Sequence, residues 1–478
     1  MAKLKLCTTW QSQSSALHGR AKALHYMAGP KLCTTSSHQR CDTFTAMNKS
    51  QIPEFVTFIL NRLKHAGHHA YIVGGALRDS CLKRPITDWD VATTATPSEI
   101  KTIFHETRLF ALKHDTVTLV DSGSHFEVTT FRGGKNNIEE DLGHRDFTIN
   151  AMAYDHETGE TLDLHGGIAD IKRKIVRAVG DPDARFREDP LRLLRTVRLA
   201  TELKFSIEPE TLNTLTRMAS LLRPVAAERI REELMKILMS PKPSTGFNLM
   251  VRTGLLTHFL PELLEGYGMR QNAYHRYTVF RHIMETLDRV EPAPVLRLTA
   301  LFHDIAKPRV KEKCDGKWRF LGHEKASALL SGEIMDRLKF SKDMIRKVTN
   351  IIANHMIGYN TGWTDGAVRR LIRRMGKEDI MALIEFRRAD IVAHGLDDKK
   401  PDLLDELEKR IMEQLNCPIA TTTKDLAIDG YKVMDLLGIS PGPEVGRILK
   451  QLIEKVTDHP EMNNQESLLG LLEQMKRA

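Results

Sequence analysis

Two aspartates one residue apart, Asp88 and Asp90, stand in the stretch ITDWDVATTATP at 86–97. In an extended chain alternate side chains share a face, so these carboxylates converge while Trp89 points the other way, into a core. Carboxylates that close repel each other. A divalent cation between them removes the repulsion, and Mg2+ suits the place because it takes hard oxygen ligands and leaves positions for phosphate oxygens. A solvated strand end also carries such a pair, and spacing alone does not separate the two readings. Upstream, HAYIVGGALRDSCLKR at 69–84 reads as a short strand through Tyr71, Ile72 and Val73, a Gly74-Gly75 turn and a helix from Ala76. Glycines between a strand and a helix let the backbone approach an anion closely, and Arg78 adds a positive charge. A glycine cradle followed at once by a paired-carboxylate strand is the layout that metal-assisted nucleotidyl transfer needs. One cation serves the attacking hydroxyl and the other the leaving pyrophosphate.

GGALRD and TDWDVATTATP are followed in order by HFEVTTFR (125–132), EEDLGHRDFTINAMAYD (139–155), DLHGGIADI (163–171), REDPLRLLRTVRLA (187–200) and ERIREELMKIL (228–238). Together these blocks resemble the class II tRNA nucleotidyltransferases and bacterial poly(A) polymerases, members of the polymerase-β-like nucleotidyltransferase superfamily. The resemblance covers most of the chain from about Gln51. It implies transfer of NMP from a ribonucleoside triphosphate to the 3′-hydroxyl of RNA, a tRNA lacking its terminus, with Mg2+ on Asp88 and Asp90. Gly74, Gly75 and Arg78 are then expected at the triphosphate. Glu127, alternating with Val128 on a neighbouring strand, offers a third carboxylate; an exposed strand residue is the alternative. The family uses its Arg-Asp pair for the ribose and phosphates of the incoming nucleotide, here Arg145 and Asp146, with Asn150 one turn beyond to orient the pair or bind phosphate. A structural salt bridge is the other reading of those residues.

In REDPLRLLR, Asp189 and Arg192 sit at i and i+3 on an expected helix that tolerates Pro190 in its first turn, so their heads share one face. A carboxylate accepts from an exocyclic amine and a guanidinium donates to ring acceptors. The resemblance implies that this pair reads the Watson–Crick edge of cytosine, and with adjustment adenine, as a protein template. A surface ion pair, worth about 0.3–0.5 kcal/mol, is the plain alternative. One departure bears on the product. Only GGKNNIE, 133–139, joins Arg132 to Glu140, where CCA-adding relatives carry a longer segment with a cluster resembling Asp-Arg-Arg, associated with switching the pocket from CTP to ATP. The short connection resembles the CC-adding members, which stop after two cytidines and leave the final adenosine to a separate A-adding enzyme; ordinary loop trimming would look the same. CC addition from CTP is therefore the expected activity, with full CCA addition using ATP, or polyadenylation, by the same site as alternatives.

The second half raises different chemistry. HRYTVFRHIMETLDRV (275–290), LTALFHDIAKP (298–308), FLGHEKASALL (320–330), IIANHM (351–356) and RRADIVAHG (387–395) resemble an HD-type metal-dependent phosphohydrolase. His282, the adjacent His303 and Asp304, and Asp390 match that family's basic metal set. His323 and His355 match the extra ligands of binuclear versions. The resemblance implies a divalent transition metal with positions open for water and phosphate, and an alternative main activity on nucleotides or RNA ends. A scaffold for RNA is the other role such a region could have. A non-catalytic RNA-binding protein is a third reading of the whole chain, and the intact carboxylates argue against it.

The elements that must hold these groups follow from periodicity and composition. From about residue 51, roughly 120 residues alternate helical and strand patterns and predict a small mixed sheet flanked by helices. From about Arg185 the pattern is helical throughout, and QESLLGLLEQMKRA ends the chain as an amphipathic helix. The expected fold is α+β: a basic, disordered extension over 1–50, a nucleotidyltransferase head over 51–180, a helical neck with the template helix over 181–270, an HD region over 271–400 and a tRNA-binding tail over 401–478. The net charge of +8 over 478 residues is misleading: residues 1–50 hold seven Lys and Arg against Asp42, giving +6, and the rest carries +2. RNA binding then has to come from local stripes, Arg192, Arg195 and Arg198, and in VRRLIRRMGK Arg369 with Arg373 and Arg370 with Arg374. A solvated helix face is the default reading of any such run. The extension repeats LCTT at 6–9 and 32–35 and reads as a transit-type segment or as sequence before a start at Met47. Six cysteines without C-x-x-C pairs, and no apolar run near 18 residues, fit a reducing, cytoplasmic setting without a membrane span.

Overall fold

The computed structural model describes residues 47, 49–111, 116–133, 137–272, 275–395, 402–417 and 419–477. Apart from Met47, Lys49 and Ser50, the extension expected over 1–50 lies outside the described residues, as do residues 134–136 of the short connection. Strand alternation builds the head. Seven strands, β1 (Ala70–Val73), β2 (Trp89–Thr93), β3 (Arg108–Ala111), β4 (Thr116–Asp121), β5 (Ser124–Thr130), β6 (Ala153–Tyr154) and β7 (Thr161–Leu162), form one sheet in the order β3-β4-β5-β2-β1-β6-β7. Within this sheet only β2 and β5 pair in parallel; a separate parallel pair joins Ile175–Val176 to Ser206–Ile207.

Register sorts the two faces. Ile72, Val91, Val128 and Val117 line up across four strands, all fully buried, against Val56, Ile59, Leu60 and Leu63 of helix α1 (Glu54–His65). Burying each of these side chains contributes about 1.5–3 kcal/mol. Trp89 shares that face, as the alternation requires, so Asp90 turns to the opposite one with Val73 and Ala92. Helix α2 (Gly75–Cys81) follows β1, and helix α3 (Pro97–Ile103) follows β2. The TATPSE stretch stops β2 with a capping box: Thr96 Oγ1 accepts from the Glu99 amide and the Glu99 carboxylate accepts from the Thr96 amide, worth about 1 kcal/mol. Helices α4 (Ile138–Gly143), α5 (Gly167–Arg173) and α6 (Pro182–Glu188) close the head and lead out of it.

Helix α7 (Arg192–Leu203) belongs to two cores. Its Leu193, Leu194 and Val197 enter an apolar cluster that runs from Phe186 to Ile419, while Leu199 and Ala200 enter the core of the head. The two next helices, α8 (Pro209–Met218) and α9 (Ala227–Leu238), and the helices through Asp402–Leu415 share that large cluster. A separate small core, Ala420 to Leu472, holds the C-terminal helices together. Of the basic stripes expected on helix Asp365–Met375, Arg369 and Arg373 are half-buried and paired with the chain beyond, whereas Arg370 and Arg374 are exposed. Arg369 donates to the Thr457 and Asp458 carbonyls and to Gln414 Oε1, Arg370 pairs with Asp458, and Arg373 with Glu454 and Thr457. The helix is crossed by helix Pro443–Asp458, whose C-terminal carbonyls attract guanidinium groups. Among the described residues no helix is long and apolar enough to cross a membrane.

Candidate active site

The carboxylates converge as the strand pattern requires. Asp88 lies exposed just before β2, Asp90 sits half-buried within it, and the parallel register puts Glu127 of β5 directly beside Asp90 on the same face. Burial pushes the Asp90 carboxyl up, with Arg145 opposing and Asp88 adding to the rise. Burial, then Asp90 and Asp88, push the Glu127 carboxyl up in the same way. Carboxylates that disfavour their own charge by mutual repulsion are the donor set a hard cation relieves, so these residues fit Mg2+. Gly74 caps α2 at φ 75°, and a Cβ there would meet Asp90 Oδ2 at 3.0 Å and Arg145 Nη1 at 3.3 Å. Only glycine allows that backbone to lie against the carboxylate.

Arg145 does not reach its neighbour Asp146. It donates through Nε and Nη2 to Asp141 Oδ2, at 3.0 and 2.8 Å, and Asp141 is fully buried and also accepts from the Arg132 amide. Asp146 faces the other way: Oδ1 accepts from the Phe147 amide and Asn150 Nδ2, and Oδ2 lies 2.7 Å from Arg195 Nη2. Burial alone would raise Asp146, but Arg195, then Asn150, hold it below the usual carboxylate range. Asn150 Oδ1 in turn accepts from Arg78 Nη1 at 2.8 Å, and the rest of the Arg78 fork grips Asp79. Gly75, at the start of α2, borders the same Arg78 guanidinium, which would sit 3.3 Å from a Cβ there.

The structure revises the expected template helix. Asp189 is extended, φ −143° and ψ 100°, and caps α6, whereas Arg192 opens α7. The cause is Pro190, whose ring pushes the residue before it out of the helical region. The heads of Asp189 and Arg192 therefore do not pair. Asp189 accepts a two-pronged bond from Arg229, Nη1 to Oδ1 at 3.1 Å and Nη2 to Oδ2 at 2.9 Å. Buried Arg192 donates to Glu188 Oε2 at 2.7 Å, to the His144 carbonyl at 2.8 Å and to the Arg185 carbonyl at 3.3 Å. Burial raises the Asp189 carboxyl, yet the Arg229 bonds leave it below its ordinary range. Arg195 and Arg198, expected to extend a phosphate stripe, turn inward instead: Arg195 to Asp146, Arg198 Nε to Glu233 Oε2 at 2.8 Å. A helix wedged between two cores has little solvent face to offer. Arg229, Glu188 and Asp141 had no distinctive spacing, although Arg229 lies in the quoted ERIREELMKIL block.

The structure brings together His282, His303, Asp304 and Asp390, and beside them His323 and His355. His282 Nε2 and His303 Nε2 lie 3.2 Å apart, and each lies 2.9 to 3.5 Å from Asp304 Oδ2 and Asp390 Oδ1, although of these four only His282, His303 and Asp304 form a group whose ligand atoms all lie within 4.8 Å of one another. Ligand atoms about 2.1 Å from one ion stand about 3.0–3.4 Å apart, so these separations are those of a ligand shell. Asp304 Oδ1 faces the other side, 3.4 Å from His323 Nε2, in a second group with His355. The Nδ1 atoms of His282, His303, His323 and His355 each meet a backbone carbonyl, of Ala393, Ala300, Phe320 and Ile352. Such bonds put the proton on Nδ1 and turn the Nε2 lone pair inward. Both Asp304 oxygens and Asp390 Oδ1 are buried without a hydrogen bond. The donor set fits a divalent transition metal. Lys307, 2.6 Å from Asp304 Oδ2, and the pair His275 and His394 beside His282 are further members that were not anticipated. Asp88, Asp90 and Glu127 are not among the described groups whose ligand atoms all lie within 4.8 Å of one another.

A family profile described as "Poly A polymerase head domain" matches residues 70–177, one described as "Probable RNA and SrmB- binding site of polymerase A" matches 204–266, and a tRNA nucleotidyltransferase domain 2 profile matches 318–472. The chain is 32% identical over 432 residues to the CCA-adding enzyme of Levilactobacillus brevis, spanning 86% of this chain and 95% of that one. It is 32% identical over 441 residues to the CCA-adding enzyme of Limosilactobacillus reuteri, with 88% and 96% covered. Among solved structures, the Bacillus stearothermophilus CCA-adding enzyme in complex with CTP is similar at 28% identity and a TM-score of 0.65, over 88% of this chain and 96% of that one.

Proposed function

We propose a specific reaction on the premise that the chain belongs to the tRNA nucleotidyltransferase family, which holds the CCA-adding enzymes and bacterial poly(A) polymerases. The chain is a nucleotidyltransferase, and enzymes of this family use divalent metal, generally Mg2+. The reaction we propose for it is addition of cytidines to a tRNA 3′ end: the 3′-oxygen bonds to the α-phosphorus of CTP and pyrophosphate leaves. Asp88 and Asp90, with Glu127 beside them, would hold Mg2+, which when bound supplies Lewis-acid stabilisation of the hydroxyl and the triphosphate. Gly74 brings its backbone to the carboxylates, Arg145 and the Arg78–Asn150 pair supply donors for phosphate and ribose, and Asp189 with Arg192 reads the base. Carboxylates left reachable from solvent would suit this role, because Mg2+ keeps positions for phosphate oxygens.

The observation that favours CC over CCA is the connection between β5 and α4. It spans only residues 131–137, and Asp141 ties down both its start, through the Arg132 amide, and the site, through Arg145. Little chain is left to reshape the pocket from CTP to ATP. The relative from Bacillus stearothermophilus was solved with CTP; CTP and tRNA are the substrates we assign here. For the RNA, a cleft of about 1530 Å³ lined by Lys204, Lys242 and Arg252 overlaps the segment matched by the RNA-binding profile. None of these three cations makes an ion pair among the described residues. Incubating the protein with Mg2+, CTP, ATP and a tRNA ending at its discriminator base, then sequencing the 3′ ends, tests the reading. Ends at CC, with no adenosine added to a tRNA supplied as CC, are expected; ends at CCA or long A tails overturn it, and CC ends leave the last adenosine to a separate enzyme.

A second reading concerns the helical half, and the ligand-shell spacing of its buried His and Asp side chains carries it. His282, His303, Asp304 and Asp390 would hold one divalent transition metal, and Asp304, His323 and His355 a second, as in an HD-type phosphohydrolase acting on nucleotides or RNA ends. Metal analysis of the purified protein and phosphate release from p-nitrophenyl phosphate test it, and a metal-free, inert protein rejects it.

A further inference from the structure

We infer that Arg229 is a positioning residue for base selection: it aligns the Asp189 carboxylate and, with Glu188 acting on Arg192, leaves an acceptor–donor–donor row that complements cytosine. The inference rests on the reading of Asp189 and Arg192 as the base-reading pair. It comes from counting which hydrogen-bonding positions remain. A carboxylate offers about four acceptor sites. On Asp189, Oδ1 is taken by the Leu191 amide at 3.2 Å and Arg229 Nη1 at 3.1 Å, and Oδ2 by Arg229 Nη2 at 2.9 Å. One site remains, on Oδ2. A guanidinium has five N–H donors. Arg192 spends both on Nη1, to Glu188 and the Arg185 carbonyl, and one on Nη2, to the His144 carbonyl. Nε–H and one Nη2–H remain.

One acceptor beside two donors matches the cytosine edge, whose N4 amine donates while N3 and O2 accept. Adenine uses the acceptor and one donor. Uracil opposes the acceptor of Asp189 with its own O4, and guanine does so with O6. The row persists only while Asp189 stays in one rotamer and ionised. Arg229 secures both, since its planar fork fixes the carboxylate plane in a way a single point charge does not. The half-exposed position of Arg229 lets the side chain be changed without opening a core.

The test measures kcat and KM for CTP and for UTP on a tRNA ending at its discriminator base, in Arg229→Gln, Arg229→Lys and Asp189→Asn, with melting temperature as the folding control. Arg229→Gln is expected to raise KM for CTP about tenfold and to lower the CTP-to-UTP ratio of kcat/KM by about tenfold or more. Arg229→Lys, which keeps the charge and loses the fork, should recover less than half of that ratio on a logarithmic scale. A CTP-to-UTP ratio unchanged in Arg229→Gln, with Asp189→Asn losing it, overturns the role of Arg229 alone. A ratio unchanged in Asp189→Asn overturns the base-reading assignment beneath it. Full recovery by Arg229→Lys shows that charge suffices and also rejects the positioning role.

Discussion

In the head, Asp88 is exposed, Asp90 is half-buried, and burial with mutual repulsion pushes the Asp90 and Glu127 carboxyls up. In the helical half, His282, His303, Asp304, His355 and Asp390 are each no more than 2% exposed, with their ring nitrogens set by backbone carbonyls; the Nε2 atoms of His282 and His303 stand 2.9 to 3.5 Å from the carboxylate oxygens of Asp304 and Asp390. Both sets consist of side chains of metal-ligating type, and among the described residues only the second includes groups whose donor atoms all lie within 4.8 Å of one another. The difference follows from what each must admit. A site that takes a triphosphate and an RNA end in every turnover has to leave its cation unsaturated and its carboxylates reachable. In the role proposed for it, the buried set would hold its ion before any substrate arrives, and the folded protein would carry the cost of burying the ligands.

Crossed substitutions give the largest expected effect on this contrast. Asp88→Ala/Asp90→Ala should lower CMP transfer on the order of 10³-fold or more and leave the metal content of the purified protein unchanged. His303→Ala/Asp304→Ala should strip that metal while transfer stays within about twofold, a change under ~0.5 kcal/mol. Primer extension and elemental analysis of the same preparations read both, and a single variant that abolishes both would merge the two sites into one.

Acidity should separate chemistry from selection. A carboxyl with a raised pKa loses its charge first as pH falls, and one held down keeps it. Transfer at limiting Mg2+ should therefore decline with falling pH, through Asp90 and Glu127, before the CTP-to-UTP ratio changes through Asp189. Added Mg2+ should move the decline to lower pH, because cation and proton compete for the same oxygens. In metal-free protein the raised pair binds protons more tightly folded than unfolded, so its contribution to stability is present at low pH and is lost as pH rises through the carboxylate range. Asp90→Asn should flatten that slope in a chemical denaturation series. A selectivity ratio that falls together with the rate removes the distinction.

The smallest effect is expected at the tail. Arg369→Ala loses bonds to the Thr457 and Asp458 carbonyls and to Gln414, costing about 1–2 kcal/mol in local stability by hydrogen exchange. The dependence of tRNA affinity on salt should not change, whereas a phosphate-binding arginine would lower its slope by about one.

Much of the head was legible because strand alternation is local. Trp89 and Val91 against Asp88 and Asp90 follow from a period of two, and the seven motif stretches from GGALRD to ERIREELMKIL run in the order of the family they resemble. The clustering of the His and Asp side chains was legible through the resemblance of their ordered motifs to the HD family, with His303 and Asp304 adjacent. The arginines were not. Arg192, Arg195, Arg198, Arg369 and Arg373 read as stripes, yet each is spent on a carboxylate or carbonyl of a distant segment, such as Asp146, Glu233 or Thr457. A guanidinium on a long stem finds acceptors that lie far away along the chain, and no spacing rule encodes them.

The sequence by itself determined the class of chemistry through the family resemblance of its ordered motifs, while short-range geometry accounted for the paired carboxylates on one strand and the glycine turn before them. Only the tertiary structure decided which carboxylate faces which cation. Pro190 breaks the helix between Asp189 and Arg192, α7 is wedged between two cores, and Arg229 meets Asp189 across 40 positions of sequence. Local rules set where a side chain points; its partner depends on packing between elements that the backbone brings together only when the whole chain folds.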